Sequence, residues 1–115
     1  MYSYTEFANA EDFVAHMKSR LRENMTLENH GSVWHVEHRI AKCWYSGDPE
    51  DVRRCWSKAN IDAEFGEENL KKNCKIIDSL CLEVGQEYWP LSWNSKIPTA
   101  SEKKQMYKNK MQLFE

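Results

Sequence analysis

Apolar side chains recur at helical spacing near the start of the chain. They follow the pattern i, i+3, i+4, i+7 and i+11, which places them on one face of a helix. Charged residues fall off this face, and Asn9 stands where a side chain can cap the first turn. The pattern predicts an amphipathic helix that frays near Asn24. Its apolar positions are Ala10, Phe13, Val14, Met17 and Leu21.

Residues 32 to 45 fit two periodicities. Val33, Val36 and Ile40 suit a helix, whereas Trp34, Val36 and His38 alternate with polar residues as in a strand. The alternation fails after Ile40, and a single strand needs a pairing partner that the pattern does not reveal. A helix is therefore the preferred prediction. An α+β fold with residues 32–45 as strands is the alternative.

Two further helices are predicted between residues 48 and 85. The Asp48-Pro49 pair is a strong helix start, because Asp can cap the first turn and Pro suits the first helical position. A second apolar stripe predicts one long central helix that ends at Gly85. The stripe consists of Leu70, Cys74, Ile77, Cys81 and Val84.

The last thirty residues predict an aromatic loop and a basic helix. The loop covers residues 86–98, where Pro90 and Pro98 disfavour regular structure. The helix covers residues 100–114, and Thr99 with Glu102 forms a capping box at its start. The apolar side of this helix carries Ala100, Tyr107, Met111 and Phe114.

These elements predict a mainly α-helical protein, a compact bundle of four to five helices that forms a single domain over residues 1–115. A length of 115 residues with 41% hydrophobic side chains is typical of one globular domain. The helices are expected to enclose one hydrophobic core. Its predicted members are Phe13, Met17, Val52, Trp56, Leu70, Ile77 and Val84.

Charge and cysteine content narrow the functional classes. Sixteen basic and eighteen acidic side chains give a net charge of −2, which argues against a general attraction to membranes or nucleic acids. The sequence shows neither a signal peptide nor a membrane-spanning stretch, so a cytoplasmic location is expected. In a reducing compartment the four cysteines are expected to remain thiols.

The stretch from Trp34 to Trp56 suggests metal binding or catalysis, because it holds His35, His38 and Cys43. The spacing disfavours this hypothesis, since structural zinc sites usually contain close cysteine pairs and the chain has none. No phosphate-binding glycine motif is present. The prediction is a non-enzymatic protein without a metal or cofactor, and a small metal protein or enzyme remains one alternative.

A nucleic-acid-binding module is the other alternative. The last helix carries Lys103, Lys104, Lys108 and Lys110 against Glu102 alone, and lysines can contact phosphates. Acidic residues concentrate between positions 48 and 68, where they would repel a nucleic acid backbone. A lysine-rich terminal helix is also common as a solvated surface, so this signal is weak.

A protein partner fits the largest number of these features. Aromatic residues are enriched where protein interfaces concentrate their binding energy, and the loop is rich in them. The leading hypothesis is a small intracellular protein that occludes or bridges a macromolecular partner, as inhibitors, immunity proteins and accessory proteins of phages or mobile elements do; a second copy of the chain is one partner considered. The predicted contact residues are Tyr88, Trp89, Trp93, Lys103, Lys104, Tyr107, Lys108 and Met111. Alternatively, Trp89 and Trp93 close the end of the core.

Overall fold

A computed structural model describes residues 5–112 of the chain and, within the last helix, the side chains as far as residue 110. Within these residues, five α-helices accompany a two-stranded sheet, so the fold is α+β and mainly helical; the preferred helix over residues 32–45 is wrong, and only residues 34–38 of that segment form a strand. The helices are α1 (Ala10–Arg20), α2 (Pro49–Cys55), α3 (Gly66–Lys72), α4 (Asp78–Val84) and α5 (Ala100–Gln112), and the strands are β1 (Trp34–His38) and β2 (Ile61–Phe65).

The sheet is an antiparallel pair in which Trp34 faces Phe65 and His38 faces Ile61. Because side chains alternate across a strand, each face of the sheet takes every second residue. One face presents Trp34 and Val36 beside Ile61 and Ala63. The other face is polar and carries His35, Glu37, Asp62 and Glu64. The alternation of apolar and acidic residues in β2 is itself a strand signal, which the prediction of two helices between residues 48 and 85 overlooks.

Two hydrophobic clusters hold the fold together. The first lies on the apolar face of the sheet, against α1, and includes Phe7, Met17, Met25, Trp34, Ile61 and Ala63. The second joins the segment after β1 to α4 and the aromatic loop, and includes Ile40, Ala41, Trp44, Ile76, Cys81, Val84, Trp89 and Trp93. Phe13 and Trp56 pack against the first cluster from partly exposed positions.

A buried asparagine fixes the end of β1 to β2. The side chain of Asn60, which is fully buried, accepts a hydrogen bond from the Ile40 amide at 2.8 Å. The Asn60 side-chain amide donates to the carbonyl oxygens of Ile40 and Cys55. These bonds satisfy backbone groups that would otherwise be buried without a partner, which is costly.

The helix ends follow the local signals in the sequence. The side chain of Asn9 accepts a hydrogen bond from the amide of Asp12, and that of Asp48 accepts one from the amide of Glu50. Thr99 and Glu102 exchange the two hydrogen bonds of a capping box. At the end of α4, Gly85 has a φ of 98°, a conformation that glycine adopts without steric cost.

The long central helix is wrong, because the chain leaves the helical path at Asn73 and resumes it only at Asp78. Leu70 and Ile77 are exposed as a result, which removes two residues from the predicted core. Tertiary contacts hold the break: Cys74 is bonded to Cys43, and the amide of Ile76 donates to the Tyr107 hydroxyl. No helix within residues 5–112 is long and apolar enough to cross a bilayer.

Candidate functional site

The two tryptophans of the aromatic loop are core residues. Trp89 and Trp93 are only 8% and 7% exposed, and their rings lie 6.3 Å apart in the second hydrophobic cluster. The indole N–H of Trp89 donates to the Cys81 carbonyl at 2.9 Å. The structure therefore favours the alternative in which these rings close the core, and they contribute little to an exposed surface. The loop itself forms two short 3-10 helices, Gln86–Tyr88 and Leu91–Trp93.

The remaining aromatic candidates also make contacts within the protein. The Tyr88 hydroxyl donates to Glu6 at 3.1 Å, and the guanidinium of Arg53 lies over the Tyr88 ring. Tyr107 is partly buried beside Trp44 and accepts a hydrogen bond from a backbone amide. The side chain of Met111 lies outside the described residues.

The predicted lysines divide into one paired residue and two free to reach solvent. The ammonium of Lys103 forms an ion pair with Asp78 that joins α5 to the start of α4. Lys104 and Lys108 are exposed along α5. A fourth lysine of this helix, Lys110, lies 5.4 Å from the centre of the Trp44 ring. Lys110 therefore places one positive charge of α5 beside the 3-10 helix Lys42–Trp44, which follows β1.

The structure does not assemble His35, His38 and Cys43 into a ligand set. His35 and His38 are three residues apart on a strand and so lie on opposite faces of the sheet. Cys43 is joined to Cys74 by a disulfide with its Cα atoms 6.6 Å apart, so the prediction that all four cysteines are thiols is wrong for this pair. Within residues 5–112, no three His, Cys, Asp or Glu side chains are arranged to hold a metal ion.

His38 and Cys43 do meet at one cleft of about 290 Å³, between β1, the 3-10 helix Lys42–Trp44 and the end of α3. We call it the lysine cleft, because its ionisable lining consists of Lys42, Lys72 and His38 and includes no carboxylate. Its other polar lining groups are the side chains of Asn69 and Asn73, which can donate hydrogen bonds. The arrangement suits an anionic ligand.

Lys72, in the wall of the cleft, belongs to a buried ion pair with Glu37, which lies behind it. Lys72 and Glu37 are 9% and 3% exposed, and the ammonium nitrogen lies 3.5 Å from the Glu37 carboxylate. Lys72 also donates to the carbonyl oxygen of His38 at 2.7 Å. Burial raises the pKa of Glu37 and lowers the pKa of Lys72, although each charge opposes the shift of the other. Desolvation of the pair thus outweighs its mutual attraction, as is common for buried ion pairs.

The histidine in the same wall is held in its neutral form. Burial lowers the pKa of His38 to about 4, and the positive charges of Lys42 and Lys72 act in the same direction. The ring packs edge-on against Trp56, with centroids 4.5 Å apart. Its Nε2 atom is buried and has no hydrogen-bonding partner. The positive charge available to a ligand therefore comes from the lysines.

Carboxylates are grouped on the other side of Lys72. A second cleft of about 270 Å³ is lined by Glu37, Glu64 and Glu68, together with Lys71 and Lys75. Lys72 lines both clefts. The fold therefore separates a cleft without carboxylates from one with mixed charge, although α3 carries acidic residues in its first turn and lysines in its last.

The sequence pointed to His38 and Cys43 but not to the residues that give the cleft its charge. Lys72 falls on the outward side of a predicted helix, where a lysine is unremarkable, and Lys42 lies in a segment of ambiguous periodicity. The single signal for Glu37 is its position in a segment where Trp34, Val36 and His38 alternate with other residues as in a strand. Only the pairing of β1 with β2 and the docking of α3 bring these residues together.

Comparisons with known proteins give one relative and no function. Over 56 residues, the chain is 39% identical to the uncharacterized protein L426 of Acanthamoeba polyphaga mimivirus. The match covers 48% of this chain and 25% of that protein, so the chain spans only a minor part of its relative. No protein-family model matches the chain, and no solved structure matches it.

Proposed function

We propose that this protein binds the phosphate backbone of a nucleic acid at the lysine cleft and at the adjoining Lys110 of α5. The observation that carries the proposal is the carboxylate-free cleft, which brings Lys42, Lys72 and amide donors to one surface depression. Phosphate contacts from lysines and from neutral donors supply most of the affinity in sequence-independent nucleic acid binding.

Most of the positive charge available to a ligand comes from lysines at the entrance of the cleft. The charge of Lys72 is partly balanced by Glu37, whereas Lys42 is exposed at the entrance. Lys110 adds a second cation nearby, because it lies over Trp44, and the Trp44 indole N–H donates to the carbonyl of Cys74 in the cleft wall. Lys42 and Lys110 therefore both lie near the cleft wall, while Lys104 and Lys108 are exposed on other sides of α5.

The net negative charge of the chain does not by itself oppose this function, because several acidic groups lie outside the lysine cleft. Glu64 and Glu68 line the second cleft, and Glu67 lies with Glu68 beside a third cleft at the start of α3. A dipolar distribution of this kind orients an anionic partner toward the basic surface.

The proposal is tested by fluorescence anisotropy with a labelled duplex DNA and a labelled single-stranded RNA. Affinity is expected to fall as salt rises, because each phosphate contact releases a counterion. The variant Lys42→Gln with Lys110→Gln is expected to bind more weakly at about 50 mM salt. The slope of log K against log salt should become smaller by roughly 2 for duplex DNA, since two contacts are lost.

The control is Lys18→Gln, which removes one exposed lysine from α1, on the far side of the sheet. Its affinity and salt slope are expected to match those of the unchanged protein. Equal binding by all three proteins would show that the lysine cleft is not the binding surface. Absence of binding to both nucleic acids at low salt would refute the proposed function.

A protein partner is the second candidate function. Leu70 on α3 and Leu82 on α4 are large apolar side chains that are 73% and 68% exposed, and we infer that either one can contact a protein partner. These side chains replace the aromatic loop as the proposed contacts of the inhibitor-like or accessory function that the sequence predicted. Failure of both nucleic acid probes would favour it.

A further inference from the structure

We propose that the Cys43–Cys74 bond is a reversible disulfide that sets the shape of the lysine cleft and thereby regulates the anion binding proposed above. Cys43 lies in the 3-10 helix after β1, and Cys74 follows the end of α3. Both cysteines line the cleft and are partly exposed. The bond therefore joins the two walls between which a ligand would lie.

The Cys43–Cys74 bond lies where its reduction does not remove a main contact of the fold. The hydrophobic clusters and the sheet are built from other residues, and the cysteines only pack at the margin of the second cluster. Two hydrogen bonds also connect the cleft walls, from Trp44 to the carbonyl of Cys74 and from Lys72 to that of His38. The reduced protein is therefore expected to remain folded.

The segment between α3 and α4 is the part that reduction would release. Residues 73–77 contain neither helix nor strand, and Asn73 adopts a positive φ of 44°. The described hydrogen bonds of this segment include the amide of Lys75 to the carbonyl of Lys72, and the amide of Ile76 to the Tyr107 hydroxyl. Without the disulfide, local opening of this segment becomes easier.

The other two cysteines do not compete for oxidation. Cys55 and Cys81 are buried, and burial raises the pKa of Cys55 to about 12 and that of Cys81 to about 11. Thiolate is the reactive form, so these side chains exchange slowly. Thiol–disulfide exchange is thereby confined to Cys43 and Cys74.

The redox step is thiol–disulfide exchange with a small-molecule disulfide such as oxidised glutathione. One cysteine thiolate attacks that disulfide, forms a mixed disulfide and releases one small thiol. The second cysteine then attacks the mixed disulfide, which forms the Cys43–Cys74 bond and releases the second small thiol. Two protein thiols are oxidised while one small disulfide is reduced to two thiols.

The first measurement is the redox state of the full chain across mixtures of reduced and oxidised glutathione. Alkylation and mass spectrometry are expected to show two cysteines that change together in one reversible transition. Cys43→Ser and Cys74→Ser should each abolish the transition, while the matched control Cys55→Ser retains it. A pair that stays fully oxidised or fully reduced over the whole range would overturn the inference.

The second measurement is hydrogen exchange of the backbone amides of residues 73–77 in the oxidised and reduced forms. Reduction is expected to accelerate this exchange by about tenfold or more, while the amides of β1 and β2 remain protected. Equal exchange in both forms would overturn the inference, because the bond would then not control the cleft wall.

DNA binding by the two forms separates this inference from the proposed function on which it rests. The oxidised form is expected to bind the labelled duplex about 3- to 10-fold more tightly, because its cleft is preorganised. Equal binding by both forms refutes regulation and leaves the proposed function intact. If neither form binds DNA or RNA, the proposed function fails, and the exchange measurement alone decides whether the disulfide controls the cleft.

Discussion

The neutral histidine in the cleft wall makes the stability of the protein dependent on pH. His38 is packed against Trp56 in a buried position, and the nearby ammonium groups of Lys42 and Lys72 also disfavour a positive charge. Its pKa is lowered from 6.5 to about 4. The unfolded chain, in which the ring is hydrated, takes up this proton near pH 6.5. The folded protein resists the same proton until much lower pH.

The size and sign of the effect follow from the two pKa values of His38. The fall from 6.5 to about 4 corresponds to roughly 3 kcal/mol, at about 1.4 kcal/mol for each tenfold change in proton affinity. Between these pH values the unfolded state binds the proton that the folded state excludes, so the free energy of unfolding decreases as pH falls. The full contribution is present above pH 6.5 and is lost by about pH 4.

Urea unfolding at several pH values between 7.5 and 4 measures this contribution. The variant His38→Phe retains a ring against Trp56 but has no proton to bind, so its stability should fall less by roughly 3 kcal/mol over this range. Other titrating groups act in both proteins and cancel in the comparison. Among them is Glu37, whose raised pKa increases the free energy of unfolding as pH falls, opposite to the effect of His38. The difference between the proteins therefore isolates His38.

Two results would refute this reasoning. Parallel loss of stability in the unchanged protein and in His38→Phe would show that the histidine is not the group responsible. Direct NMR titration that gives His38 an ordinary pKa would show that its ring is hydrated in the folded protein, against the burial of its Nε2 atom.

Two further changes test the polar groups buried near the sheet. Lys72→Met leaves the carboxylate of Glu37 buried without its partner and is expected to cost about 3–5 kcal/mol in urea unfolding, whereas adding Glu37→Gln should restore most of that loss. A double variant as unstable as the single one would contradict this. Asn60→Ala leaves the backbone groups of Ile40 and Cys55 without their side-chain partner and is expected to cost about 2–4 kcal/mol. A loss below about 1 kcal/mol would indicate that water replaces the amide.

The helix starts could be predicted from the sequence because their physics is local. Asn9, Asp48 and Thr99 each satisfy backbone amides within three residues of themselves, so a short window of sequence contains both partners of every hydrogen bond. The glycine at the end of α4 acts through its own backbone conformation. No distant contact is needed for any of these elements.

The sheet and the broken central helix could not be predicted in the same way. Residues 34–38 carry both periodicities, and only pairing with β2, more than twenty residues later, makes the strand favourable. The apolar stripe from Leu70 to Val84 is helical in pattern, but contacts of Cys74 and Ile76 with distant residues outweigh continuation of the helix through Asn73. In both places long-range contacts decide between locally similar alternatives.

The features of the candidate site also divide into those that the local sequence determines and those that depend on tertiary contacts. The sequence determined which residues can be charged, where α1, α2 and α5 begin, and that His38 and Cys43 are chemically versatile side chains. Only the tertiary structure decided that Trp89 and Trp93 belong to the core and that Lys42 and Lys72 line a cleft without carboxylates. The physical reason is that burial and charge grouping depend on which segments pack together, and side chains at the cleft come from segments about thirty residues apart.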